Sequence, residues 1–127
     1  MPAAATVPAH PTARTVSADV QAAAELLSAL SAPLRLSIMV LLDEHGTRCV
    51  HQLVDALGVP QPLVSQHLRV LRSAELVVGE RQQREVHYRL VDAHVGSIVR
   101  AALDHARHAG EGDQPDSGVP STRATMA

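Results

Sequence analysis

The chain has 127 residues, the length of one domain, with 46% hydrophobic residues but one Tyr and no Phe or Trp. Its core must therefore be built from Leu, Val, Ile, Ala and Met, and its formal net charge of −2 gives no chain-wide signal for nucleic acid. A lone cysteine, Cys49, excludes an intrachain disulfide framework, and the longest apolar run, Ile38 to Leu42, is far too short to span a membrane.

Residues 1–16 and 110–127 are rich in Pro, small and polar residues and are expected to be unstructured arms. The opening residues lack a basic start followed by an apolar run, so no leader is expected and the place of action is read as the cytoplasm. That leaves one ordered domain over 17–109.

A first helix is predicted from Ser17 or Asp19 to Leu30, with Val20, Ala23, Ala24, Leu27 and Leu30 as its apolar stripe. Ser31 is placed as the cap of a second helix, with Pro33 in its first turn and Leu34, Ile38, Leu41 and Leu42 facing the core. His45-Gly46 ends it. A short third helix covers Val50 to Leu57, burying Leu53, Val54 and Leu57. After the turn Gly58-Val59-Pro60, a fourth runs from Gln61-Pro62 to Ser73 with Val64, Leu68 and Leu71 inward.

The third and fourth helices with their glycine turn form a helix-turn-helix. Gln61, Ser65, Gln66, His67, Arg69 and Arg72 remain for the outer side of the fourth helix. Gln, Ser and Arg there suit base edges and phosphates in a major groove. Two strands follow, Leu76 to Glu80 and Arg84 to Leu90, joined by Arg81-Gln82-Gln83, with Val86, Tyr88 and Leu90 on one face. Arg81 and Arg84 flank the tip of this wing, where backbone phosphates are within reach. Five Arg against three Glu between Gln61 and Arg89 make this half net positive inside an acidic chain. The fold class is mainly α with a small β-hairpin: a winged helix-turn-helix of five helices.

The last helix carries the densest chemistry. Asp92 and His94 open it, His105 and His108 close it, and Val95, Ile98, Val99, Ala102 and Leu103 lie between at helical spacing. His105 and His108 share a face. His94 returns to nearly the same face eleven residues earlier, but about 16 Å away along the axis. Metal–nitrogen bonds are only about 2 Å long, so one helix cannot bring both ends to one ion. An antiparallel second copy can, giving a homodimer with two intersubunit sites. Three imidazoles and one carboxylate suit four-coordinate Zn²⁺; Ni²⁺ and Co²⁺ take the same donors, and Ni²⁺ prefers more. A catalytic metal needs an open position and a general base, and the sequence offers neither beside this closed set, so no enzyme activity is expected.

From about Ala18 to His108 the chain resembles the ArsR/SmtB winged-helix metal-sensing repressors. Ala29-Leu30-Ser31-Ala32-Pro33-Leu34-Arg35-Leu36 resembles their entry to the second helix. Leu63 to Leu71, L-V-S-Q-H-L-R-V-L, is similar to their recognition helix, and Arg81, Arg84 and Tyr88-Arg89-Leu90 match their wing. Asp92-x-His94 followed by His105-x-x-His108 resembles their zinc site on the last helix, with His108 where some relatives have Glu. The resemblance implies a repressor that binds a palindromic operator as a metal-free dimer and lets go when zinc binds at the dimer interface. Nickel or cobalt sensing on the same architecture is the alternative, as is redox sensing through Cys49. The family's thiolate motif on the third helix reads here Cys49-Val50-His51-Gln52-Leu53. One cysteine is replaced by His51 and the acidic residue by Gln52, so Cys49 is expected to be a small packed side chain, with His51 and His10 its only company.

Overall fold

The structure, a computed structural model, describes residues 16–113. It divides into two units, one ending at Val91 and one beginning at Asp92, which are described in turn.

Helix α1, Ala18–Leu30, starts where Ser17 Oγ accepts a hydrogen bond from the Val20 N–H at 3.1 Å. Its stripe is not the core stripe that periodicity predicts. Val20 is 57% and Leu27 55% exposed, Ala23 and Ala24 are exposed, and only Ala29 and Leu30 are buried. Among the described residues, nothing covers that face.

Helix α2, Pro33–His45, leaves α1 at 93°. Ser31 does not cap it, contrary to expectation. The Ser31 hydroxyl donates backwards to the Ser28 carbonyl at 2.8 Å, closing α1, and Ala32 opens α2 without a side-chain cap. Pro33 has no N–H to satisfy and is pre-set for helix, so the cap is dispensable. Ile38, Met39 and Leu42 are buried, while the expected core residues Leu34 and Leu41 are half-buried. Gly46, at φ 80 and ψ −156, ends the helix in a conformation that side chains avoid.

Arg48–Cys49 form a short strand, β1, which periodicity does not announce. It leads straight into helix α3, Val50–Leu57. Gly58, left-handed at φ 68 and ψ 31, and Pro60 turn the chain into helix α4, Gln61–Ser73. Val64, Leu68 and Leu71 of α4 are buried, as their spacing requires. With Ile38, Met39, Leu53 and Leu76 they are the most deeply packed aliphatic residues of this unit, each no more than 1% exposed.

The end of α4 is a Schellman turn: the Leu76 N–H bonds to the Leu71 carbonyl and the Glu75 N–H to the Arg72 carbonyl, both at 2.9 Å. Glu75 takes the left-handed position at φ 61, where glycine is usual. Strands β2, Val77–Gln82, and β3, Glu85–Leu90, follow in a three-stranded antiparallel sheet ordered β1-β3-β2. The wing is longer on its first strand than expected, so Arg81 belongs to β2 rather than to the loop. Its last pair is Gln82 with Glu85, which leaves a two-residue turn, Gln83-Arg84. Gln83 supplies the positive φ, 59, that glycine or asparagine normally provides.

In the second unit, helix α5 spans Ala93–Asp113. Val95 and Val99 are buried and Ile98 is 36% exposed. The helix runs four residues into the stretch expected as tail. Gly110 costs about 1 kcal/mol in a helix relative to Ala, too little to stop one already nucleated over several turns. The arms at 1–15 and 114–127 lie outside the described residues. No single helix among the described residues is long and apolar enough to cross a membrane.

Candidate DNA-reading face and metal-ligand helix

Burying Val64, Leu68 and Leu71 fixes the rotation of α4 and turns Gln61, Gln66, Arg69 and Arg72 outward, all exposed. Ser65 is half-buried beside them. His67 is half-buried too, and it is not simply an outward residue. Its Nδ1 lies 3.3 Å from an Arg35 guanidinium nitrogen of α2, and Arg35 Nε donates to the Ala29 carbonyl at 2.6 Å. One arginine thus links the end of α1 to the middle of α4. Sequence reasoning gave Arg35 no part here, because its partner stands 32 positions away.

On the wing, Arg81 and Arg84 are exposed. Arg81 lies on the same face of β2 as Val77 and Gly79, one step beyond the buried part of the hairpin. Arg89 and Glu80 pair across the strands at 3.5 Å, both substantially exposed, which adds little to stability. His87 and Glu85 stand 3.6 Å apart. A crevice of about 180 Å³ places Gln61 at the start of α4, Arg84 of the wing and His51 of α3 around one recess. The helix-turn-helix and the wing therefore open toward a common space.

Cys49 is buried and free. Its backbone N–H donates to Gln52 Oε1 at 2.9 Å, so Gln52 closes the first turn of α3. His51 is exposed. His10 lies outside the described residues.

On α5, Asp92 Oδ1 accepts from the Val95 N–H at 3.0 Å and caps the helix, leaving Oδ2 outside the cap. His94, His105 and His108 are exposed. The structure does not bring these four together: among the described residues no group of three metal-ligand side chains converges. That agrees with the length of the helix, which separates Asp92 and His94 from His105 and His108. His108 Nδ1 is 2.8 Å from the Asp104 carbonyl. A carbonyl only accepts, so Nδ1 carries the proton there, and in the neutral ring Nε2 keeps its lone pair. That is the arrangement metal-bound imidazoles use. The donor set therefore fits a metal ion, provided that a second helix supplies the other half.

Two helices joined by a left-handed glycine, with a hairpin beyond the second, make a winged helix-turn-helix domain. The chain belongs to the ArsR family: residues 32–78 match the bacterial regulatory proteins of the arsR family. It is 60% identical over 90 residues to the HTH-type transcriptional repressor SmtB of Mycobacterium tuberculosis, strain H37Rv. That match covers 71% of this chain and 64% of the relative, so the chain spans a little under two thirds of that protein. It is 43% identical over 93 residues to the HTH-type transcriptional regulator NmtR of the same strain, covering 71% of this chain and 77% of that one. Among solved structures it resembles the homodimeric winged helix-turn-helix DNA-binding domain Mb0332 of Mycobacterium bovis. The TM-score is 0.69 at 27% identity, over 76% of this chain and 89% of that chain.

Proposed function

We propose that this chain is the subunit of a homodimeric, zinc-responsive transcriptional repressor acting in the cytoplasm, with residues 17–109 as its DNA-binding and dimerisation domain. The observation that carries the reading is the pair of half-sites on α5. Asp92 and His94 stand at one end and His105 and His108 at the other, with His94, His105 and His108 exposed and Nε2 of His108 left to a ligand. Two half-sites on one helix call for a partner helix. The uncovered stripe of α1, with Val20 and Leu27 more than half exposed, supports a second chain on independent grounds.

The exposed Gln61, Gln66 and Arg69 of α4, with the half-buried Ser65 and His67, read the major groove, and Arg81 and Arg84 hold backbone phosphates. A two-fold dimer presents two such heads to half-sites about 34 Å apart, on a palindromic operator. Asp92 and His94 of one subunit meet His105 and His108 of the other around the ion, whose chemistry is that of a four-coordinate dication. Once the four side chains share it, the two α5 helices are tied, and the dimer is held in a shape or stiffness that fits the operator less well. Metal and DNA then oppose each other by the same coupling free energy, typically about 1–3 kcal/mol.

Titration tests this directly. The metal-free protein is expected to shift DNA from upstream of its own gene, to release it at one zinc per subunit, and to rebind after chelation. Nickel and cobalt run in parallel and must release it less effectively. Operator binding that ignores zinc would overturn the metal reading and leave the DNA-binding one in place.

A further inference from the structure

Arg35 and His67 form a contact that neither the metal reading nor the wing explains. Arginine has five N–H donors and no acceptor. At 3.3 Å from Arg35, His67 Nδ1 therefore accepts, and in the neutral ring the hydrogen sits on Nε2. Arg35 is itself held, by its Nε bond to the Ala29 carbonyl at the end of α1. The ring sits on α4, one residue before the buried Leu68 and one after the exposed Gln66, so its backbone is fixed by the core while its edge is half open.

We propose that Arg35 is a positioning residue for DNA recognition: it fixes His67 as a hydrogen-bond donor through Nε2, aimed at an acceptor on the DNA. The proposal rests on the DNA-binding reading above. An imidazole in this tautomer offers the far nitrogen as a donor only. It recognises an acceptor, a purine N7, a guanine O6, a thymine O4 or a phosphate oxygen, and rejects the amino groups of adenine and cytosine. Without Arg35 the ring is free to take either tautomer, and half of its recognition is lost.

Two measurements test it. Long-range proton–nitrogen correlation spectra of the free protein report which imidazole nitrogen of His67 is protonated, with His67→Gln identifying the signals. The Nε2–H pattern is expected in the wild type, and a mixture of tautomers in Arg35→Met, with Arg35→Lys as a second variant that keeps the charge. An Nδ1–H pattern in the wild type, or an unchanged Nε2–H pattern in Arg35→Met, overturns the proposal.

The second measurement is operator affinity. Gln places an amide nitrogen near the position of Nε2 and Asn places one near Nδ1. His67→Gln is expected to bind within about threefold of wild type and to be indifferent to Arg35→Met; His67→Asn is expected to lose about tenfold, the worth of one hydrogen bond, and Arg35→Met alone about twofold, because about half of its rings stay in the competent tautomer. Replacing single purines by their 7-deaza analogues tests the N7 acceptors. A penalty at one position that vanishes in His67→Asn marks that N7, and a penalty at none assigns the contact to an exocyclic oxygen or a phosphate. Equal affinity of His67→Asn and wild type overturns the proposal, while failure of the wild type to bind any operator overturns the DNA-binding reading instead and leaves the spectroscopic result standing.

Discussion

Gly79 faces Tyr88 across the wing, and a Cβ built on Gly79 would stand 2.9 Å from Cε2 of the tyrosine ring and 3.1 Å from Cγ1 of Val86. The chain's only aromatic side chain lies over the one position on β2 that has no side chain. Tyr88 is buried, so its ring has nowhere to retreat. Gly79→Ala is expected to destabilise the domain by about 1–3 kcal/mol, the usual cost of overpacking. Urea unfolding checks it: the midpoint should fall with little change in slope.

Glu75 pays for its place at the end of α4 with a left-handed backbone, φ 61. A side chain there costs about 1–2 kcal/mol. Glycine removes that cost but adds about 0.4–1 kcal/mol of unfolded-chain entropy. Glu75→Gly is therefore expected to stabilise the fold by about 0.5–1 kcal/mol, seen as a higher thermal midpoint. A lower midpoint would mean that the glutamate side chain contributes more than its backbone costs.

Substitution can separate the cap that Asp92 provides from the metal-ligand task proposed for it. As a cap it can be replaced by Ser, and as a metal ligand it cannot be. Asp92→Ser is expected to keep thermal stability and operator binding while losing zinc affinity. Asp92→Ala should lose zinc affinity and, in addition, about 1 kcal/mol of stability. Equal zinc affinity in wild type and Asp92→Ser would remove Asp92 from the ligand set.

His105→Ala combined with His108→Ala removes one proposed half-site and leaves the proposed operator-reading face alone. The double variant should bind operator as the wild type does and fail to let go at zinc concentrations that release the wild type. Release at wild-type zinc levels would rule these histidines out.

Arg81→Ala and Arg84→Ala test the wing. A phosphate contact contributes to every sequence alike, so each variant should weaken binding uniformly and reduce the slope of log affinity against log salt by about 1. A change of base preference at one operator position would assign the wing to base reading.

What the sequence makes legible here follows from local physics. Ser17 announces α1 because a hydroxyl at that point satisfies an orphan N–H. Val64, Leu68 and Leu71 announce the rotation of α4 because burial follows the helical repeat. Ser31 misleads because a hydroxyl between two helices can close one or open the other, and the proline after it removes the need for the second role. The wing register is hidden because Gln83 does the work of a glycine. β1 is two residues long and exists only through pairing with Tyr88 and His87, which no local pattern reveals. Arg35 with His67 is a tertiary contact between two helices. The half-sites proposed on α5 are read from chemistry, because their separation is itself a length along a helix.

The two-residue turn at Gln83-Arg84 also restricts how this wing can change. With no slack at the tip, the hairpin lengthens only by adding a residue to each strand, about 3.3 Å of reach at a time. Every such step carries the outermost side chain to the opposite face. An arginine in the place of Arg81 therefore keeps its direction only when the wing grows or shrinks by two residue pairs. The reach of this domain along a duplex is quantised, in increments of about 7 Å, close to the 3.4 Å base-pair spacing doubled.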